Sequence, residues 1–377
     1  MAKTKIKKIV FLTGTRADFG KLKSLMLKMQ DDKMFEVHVF ITGMHMLSKY
    51  GSTWDEIRKV GFTNIYKFIN QNSDDSMDHI LAKTVAGLAD YVKEMTPDML
   101  IVHGDRVETL AGAIVGALNN IFVAHVEGGE VSGTIDELIR HSVSKLSHFH
   151  FVANEDARNR LIQLGETSKS IHIIGSPDID VMNSPNLPKL SEVKRYYNFD
   201  YPDYGILLFH PVTTELNDLR RHVRILVDQV LESGKNYIVI YPNNDHGTNI
   251  IVEEYNRFSN LQRIKVFPSM RFEYFLTALK NANFILGNSS SGIREAPHFG
   301  VPAINIGSRQ NNRSKCETIL DIDIEPEIIS SAIKQSLDMT RHTSTLFGNG
   351  NSAESFHKIV KDDSFWNRDK QKYFVDL

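Results

Sequence analysis

Short apolar runs recur along the chain, separated by longer stretches in which apolar positions return every three or four residues. Lys8–Thr13, Glu36–Thr42, Met99–His103, Phe122–Val126, His148–Ala153 and Ile171–Ile174 have the length and apolar continuity of strands buried on both faces. Between them, Lys21–Gln30, Met77–Thr96 and Glu108–Asn119 carry helical spacing. This alternation predicts a parallel sheet covered by helices on both sides. Pro177, Pro185, Pro188, Pro202 and Pro211 then crowd into one stretch, and a domain boundary is expected there, after residue 182. The alternation restarts with strands at Gly205–Phe209, Tyr237–Tyr241, Ile264–Val266 and Phe284–Gly287 and helices at Arg221–Glu232, Ile250–Phe258 and Phe272–Lys280. The pattern is α/β: two open parallel sheets, with a cleft expected between them.

A length of 377 residues fits two such domains. The charge is nearly balanced, with 44 basic and 46 acidic residues, so the basic excess of a nucleic-acid binder is absent. A single cysteine, Cys316, excludes an internal disulfide framework or a cysteine-based metal site. His141, His148 and His150 match no common zinc spacing, and no metal is expected. The apolar run Ile9–Leu12 is too short for a signal peptide or a membrane span; a cytoplasmic protein without membrane insertion is expected.

In open parallel sheets ligands bind beyond the carboxyl ends of the strands, and the polar clusters of this chain fall there. Thr13–Lys21 (TGTRADFGK) follows the first strand; a helix N-terminus with Arg16 and Lys21 suits a phosphate, although an ordinary turn has the same chemistry. His103–Glu108 (HGDRVE) places Asp105 where a reactive carboxylate would stand and Arg106 where a phosphate would, unless Asp105 only caps the next helix. His125–Glu130 (HVEGGE) brings Glu127 out of an apolar strand end, where desolvation makes a carboxylate a better base, and Gly128 and Gly129 permit close approach of a ligand. From Thr134 to His141, Asp136 and Arg140, and Glu137 and His141, are spaced i,i+4 on a helix, the spacing also of plain surface ion pairs. In the second half, His210-Pro-Val-Thr-Thr-Glu215 offers His210, Thr213 and Thr214 to a phosphate, and Tyr241–Gly247 offers amides such as Asn243. Gly287-Asn-Ser-Ser-Ser-Gly-Ile-Arg-Glu-Ala-Pro297 converges backbone N–H groups and hydroxyls on one point, more than one capping serine requires, and Arg309 and Arg313 follow.

In order and wording these clusters resemble the hydrolysing UDP-N-acetylglucosamine 2-epimerases of bacterial sialic-acid and capsule biosynthesis, from Thr13 to about Arg313. The resemblance implies two Rossmann-like domains facing across a cleft, of the GT-B type: 1–182 with the acid/base carboxylates, 183–360 with the UDP site, and a helix in 361–377 crossing back to the first. It also implies a reaction without cofactor. UDP-N-acetylglucosamine loses UDP and its C2 proton to give 2-acetamidoglucal, and water adds to give N-acetylmannosamine. Each step then assigns residues by resemblance. Asp105, Glu127 and Asp136 are the acid/base set, with Arg140 orienting Asp136; Arg16, Arg106, His210, Ser289 and Ser290 receive the diphosphate. The uracil falls near Met270–Phe275, against Phe272 or Phe275, and the ribose at Glu295. Relatives that keep the sugar on UDP have proline and glutamate where this chain has Ala17 and Asp18, and an alanine within the segment matching Glu127–Glu130, so this chain follows the hydrolysing pattern. A homodimer or larger homo-oligomer is expected from the family.

Two other readings keep part of this picture. The same chemistry on UDP-2,4-diacetamido-2,4,6-trideoxyglucose or a GDP-linked counterpart changes only the sugar pocket. A GT-B glycosyltransferase, or a sensor, would keep the diphosphate site but has no need of Asp105, Glu127 and Asp136, because neither removes the C2 proton.

Overall fold

The computed structural model describes residues 6–72, 75–132, 135–212, 214–243, 245–310 and 316–376. They form two compact units: the first runs to Asn183, apart from 131–135, and takes up the chain again from Leu346; the second holds Ser184–Thr345 with 131–135.

The first unit is built on a seven-stranded parallel sheet. Its strands are β1 (Lys7–Thr13), β2 (Phe35–Ile41), β3 (Ile65–Lys67), β4 (Met99–His103), β5 (Phe122–Val126), β6 (Phe149–Val152) and β7 (Ile171–Ile173), in the order β3-β2-β1-β4-β5-β6-β7. Side chains alternate across the sheet. Ile9 and Phe11 enter one apolar core with Leu22, Leu25 and Met26 of the Arg16–Gln30 helix. Val10 and Leu12 enter the other, with Leu88 and Val92 of the Met77–Met95 helix and Ala113 of the Val107–Leu118 helix. Both faces are therefore covered, and this is why these strands read as continuous apolar runs.

The second unit repeats the plan with six parallel strands, β8 (Gly205–Leu208), β9 (Tyr237–Ile240), β10 (Ile264–Phe267), β11 (Phe284–Gly287), β12 (Ala303–Ile306) and β13 (Ile319–Ile322), ordered β10-β9-β8-β11-β12-β13. The sequence pattern shows neither β12 nor β13. Each has four residues and a polar one inside, Asn305 or Asp321, and the side chain of Asn305 donates to Asp321 at 2.7 Å. The Leu216–Glu232 helix begins earlier than the expected Arg221, with Leu219 already in the core.

The segment expected to begin crossing back at residue 361 belongs to the first unit from Leu346. Its main helix is Ser352–Lys361, which begins before the expected 361–377, and the four-residue helix Asp363–Trp366 lies within that range. The physical reason is burial: Phe356, Val360 and Phe365 all pack into the core beside β1. Among the described residues no helix is long and apolar enough to cross a membrane.

Strand order fixes where a ligand can sit. In each sheet the order reverses once, between β1 and β4 and between β8 and β11. Crevices open at the carboxyl ends of such strand pairs, because the connections leave in opposite directions. Gly14–Asp18 follows β1 and Gly104–Arg106 follows β4; His210 follows β8 and Asn288–Ser290 follows β11.

Candidate active site

In the first unit the reversal point is closed by a chain of charged groups. The Arg16–Gln30 helix is capped by Thr15, whose hydroxyl accepts from the N–H of Asp18. The Asp18 carboxylate turns back to the loop, accepting from the N–H of Gly14 at 3.1 Å and facing His103 Nδ1 at 2.7 Å. The other nitrogen of His103, Nε2, lies 3.1 Å from Glu127 Oε2. Burial opposes a charge on this imidazole, yet the carboxylates Glu127 and Asp18 outweigh it and hold its pKa up at about 9. His103 is thus an imidazolium between two carboxylates. Sequence reading assigned it no role, although it opens the HGDRVE cluster, because its two partners are distant in the chain: one from the first turn of the Arg16–Gln30 helix and one from just beyond β5.

Glu127 is held on every side. Its side chain is nearly buried, and the Ser176 hydroxyl donates to Oε1. Its backbone is left-handed, with φ +64°. That conformation costs a non-glycine residue on the order of 1–3 kcal/mol and persists only where the surroundings enforce it. Here its N–H donates to the carbonyl of Phe151 at 2.9 Å, and its own carbonyl accepts from Arg140 at 2.7 Å.

Arg140 lies on the Ile135–Leu146 helix and its side chain is only 3% exposed. It also donates to the Asp105 carboxylate. Arg140 was expected to orient Asp136; the bonds it makes here tie Asp105, after β4, to the main chain of Glu127, after β5. Asp105 does not cap the next helix, whose N-cap is Arg106 and is made without a side-chain bond. Asp136 stands one turn before Arg140 on the same helix.

Several residues expected near a ligand are also held by protein partners. Lys21 is paired with the buried Asp178 at 3.3 Å, which fastens the first helix to the Pro177–Met182 helix; it is built into the unit's packing. Arg16 is gripped by both oxygens of Glu56, at 3.0 and 2.8 Å. Arg106 faces the buried Glu108 at 3.4 Å. Protein fills the space where Gly128 and Gly129 lack a side chain: a Cβ on Gly128 would lie 2.9 Å from His125 Nδ1, and one on Gly129 would lie 2.2 Å from the carbonyl oxygen of Ala157. These glycines admit a buried histidine and a neighbouring helix. His150 pairs with Glu166 at 2.9 Å and His148 with the carbonyl of Lys370 at 3.0 Å.

The second unit builds its reversal point from amides and hydroxyls. Asn288 is fully buried and clasps His210, accepting from its N–H at 2.7 Å and donating to its carbonyl at 2.9 Å. His210 Nδ1 in turn accepts from the N–H of Asn243 at 3.3 Å. Arg309 and Gln310 both donate to the Asn288 carbonyl, at 3.2 and 3.0 Å. The Ser289 hydroxyl caps the following turn by accepting from the N–H of Ser291, and Ser290 is partly exposed beside it. Just before Asn288, Gly287 has φ +136°, and a Cβ there would meet the Leu208 carbonyl oxygen at 2.1 Å, so β11 and β8 can converge only with glycine at this place. Thr214 is exposed in the loop after β8. Glu295 is buried at the start of a single helical turn, and Met270, Phe272 and Phe275 are buried in their own unit. Sequence reasoning missed Asn288 within the serine run, where its amide looked like turn chemistry. Thr134, Thr213, Asn244 and Arg313 lie outside the described residues.

The arrangement offers a basic and acidic set in one unit, with carboxylates bridged by an imidazolium and a guanidinium, and an anion-receptive set in the other. Comparison with known proteins gives the same direction. The model of the UDP-N-acetylglucosamine 2-epimerase family matches residues 27–361. A UDP-N-acetylglucosamine 2-epimerase of Neisseria meningitidis serogroup B is 47% identical over 99% of this chain and 100% of its own length. A hydrolysing UDP-N,N'-diacetylbacillosamine 2-epimerase of Legionella pneumophila is 32% identical over 94% of this chain and 96% of its own length. The crystal structure of a UDP-GlcNAc 2-epimerase from Neisseria meningitidis bound to UDP-GlcNAc shares the fold, with a TM-score of 0.79 at 18% identity, over 94% of this chain and 100% of that chain.

Proposed function

The chain belongs to the UDP-N-acetylglucosamine 2-epimerase family, and on that premise we propose that it hydrolyses UDP-N-acetylglucosamine to N-acetylmannosamine and UDP, supplying the sugar for sialic-acid synthesis. The observation that carries the reading is the linked set Asp18–His103–Glu127 and Asp105–Arg140 at the reversal point of the first sheet. A glycosyltransferase has no use for so many carboxylates in fixed geometry.

The chemistry must remove a C2 proton that no carbonyl acidifies. A carboxylate takes that proton, the C–H pair forms the C1=C2 double bond, and the C1–O pair leaves with UDP. Water then delivers hydroxide to C1 and a proton to C2 on the opposite face. We assign the proton transfers to Glu127, Asp105 and Asp136, whose surroundings differ. Glu127 is nearly buried and shares its charge with His103 and Ser176; Asp105 is half-buried against Arg140. Two carboxylates in unlike environments suit the two opposite transfers of elimination and hydration. We assign the leaving diphosphate to His210, whose backbone Asn288 holds, and to Ser289, Ser290 and Arg309 beside it.

Incubation of the protein with UDP-N-acetylglucosamine in deuterated water, followed by proton NMR, tests the reading. Free N-acetylmannosamine deuterated at C2 is the expected product; an epimer still attached to UDP would overturn hydrolysis. The Legionella relative gives the second reading, UDP-N,N'-diacetylbacillosamine as substrate, and the same assay run with that sugar distinguishes it. Sedimentation of the purified chain measures the homo-oligomer that the family reading entails.

A further inference from the structure

The Ile135–Leu146 helix carries Asp136 and Arg140 near its start, and its other end is held by a distant part of the chain. Lys372 donates to the carbonyls of Ser144 and Ser147, at 3.2 and 2.5 Å. These belong to the last turn and the residues just past it, where a helix leaves its acceptors unfilled and its dipole favours a cation. The same ammonium lies 2.6 Å from Oε2 of Glu166. Glu166 is buried and joins three elements: His150 of β6 at 2.9 Å, Lys145 of the helix at 2.8 Å, and Lys372. Burial raises the pKa of Glu166, but His150, Lys372 and Lys145 outweigh it and hold it at about 2.

From this clasp two routes lead to the site. The helix itself runs two turns back to Arg140. Ser144 also bonds His125 Nδ1 at 3.2 Å, and His125 Nε2 contacts the carbonyl of Gly104, next to Asp105, at 2.8 Å. Other anchors of the same segment go elsewhere. Arg368 donates to the carbonyl of Lys169 at 2.5 Å and packs over Phe149.

We infer that Lys372 is a positioning residue for the reaction: by joining Glu166 to the end of the Ile135–Leu146 helix it sets where Asp136 and Arg140 stand. A short helix moves as a rigid rod, so a shift at the clasp reaches the guanidinium that aligns Asp105 and Glu127. Displacements of about 1 Å at such groups change rates by up to about 100-fold. The inference rests on the proposed reaction.

The experiment compares wild type, Lys372→Met and Arg368→Met by steady-state release of UDP, by thermal unfolding, and by amide hydrogen exchange in residues 136–147. K372M is expected to lower kcat about 10-fold, leave KM within about twofold, and speed exchange in this helix. R368M is expected to lower the melting temperature and leave kcat unchanged. Wild-type kcat in K372M, or an equal loss of kcat in both variants, overturns the inference, as does K372M failing to fold, because Lys372 is then only a folding element. If wild type does not turn over UDP-N-acetylglucosamine, the proposed function fails instead. The exchange result then decides the clasp alone: unchanged exchange in K372M overturns it.

Discussion

His103 Nε2 stands 3.1 Å from Glu127 Oε2 while its Nδ1 stands 2.7 Å from Asp18 Oδ1, so one imidazolium bridges the first turn of the Arg16–Gln30 helix to the residue after β5. The pair makes the molecule sensitive to alkaline pH. The folded pKa of His103, about 9, lies above its ordinary 6.5. The stabilisation is therefore complete below pH 6.5 and is lost as pH rises through about 9; its size is on the order of 3 kcal/mol. Urea unfolding of wild type across this range is expected to show falling stability, and His103→Gln is expected to flatten that slope and lower kcat by about 100-fold. An unchanged slope in H103Q would show that the bridge carries no charge.

Arg140 is buried with two partners that cannot both be satisfied by another side chain. Arg140→Met leaves Asp105 without its guanidinium partner and is expected to cost about 3–5 kcal/mol. Arg140→Lys keeps the charge but loses the fork that reaches both Asp105 and the carbonyl of Glu127. For R140K, kcat is expected to fall at least about 10-fold with a small change in KM, measured by UDP release; equal activity would sink the alignment role.

Two glycines with nearly the same backbone separate strain from crowding. Gly104 has φ +74° and no atom within 4 Å of where a Cβ would stand, whereas Gly129 has φ +73° and the Ala157 backbone at 2.2 Å. Gly104→Ala is expected to cost only the conformational strain, about 1 kcal/mol, and Gly129→Ala at least about 3 kcal/mol. Chemical denaturation of the two variants decides; similar losses would mean that crowding at Gly129 is relieved by movement of the neighbouring helix.

Asn288 supports the anion-receptive loop without being one of its exposed donors. Asn288→Ala strands the buried N–H and carbonyl of His210 and is expected to cost about 2–4 kcal/mol. Calorimetric titration is expected to show UDP binding weakened about 10-fold, because His210 and the loop after β11 lose their register. Full-strength UDP binding by folded N288A would remove His210 from the diphosphate site.

The sequence by itself determined the two parallel sheets and the places where chemistry gathers. Runs such as Ile9–Leu12 and Leu100–Val102 are apolar on both faces, and that pattern has few other readings; polar residues directly after them fall on the carboxyl edge by connectivity alone. Asp105 and Glu127 could be placed at that edge for that reason, whereas Asp136 and Arg140 were read from their i,i+4 spacing on the next helix. Tertiary structure decided their partners. Arg140 meets Asp105 across 35 positions and His103 meets Asp18 across 85, and no local pattern encodes contacts so far apart. Lys21 and Arg16 read as phosphate ligands because the helix beside them is a generic anion site; that Asp178 and Glu56 pair with them is set by other elements and no local pattern shows it. The short strands β12 and β13 and the return of the chain at Leu346 were hidden likewise: four-residue strands carry too little periodicity, and Phe356 and Val360 show where they belong only when β1 supplies the core to bury them.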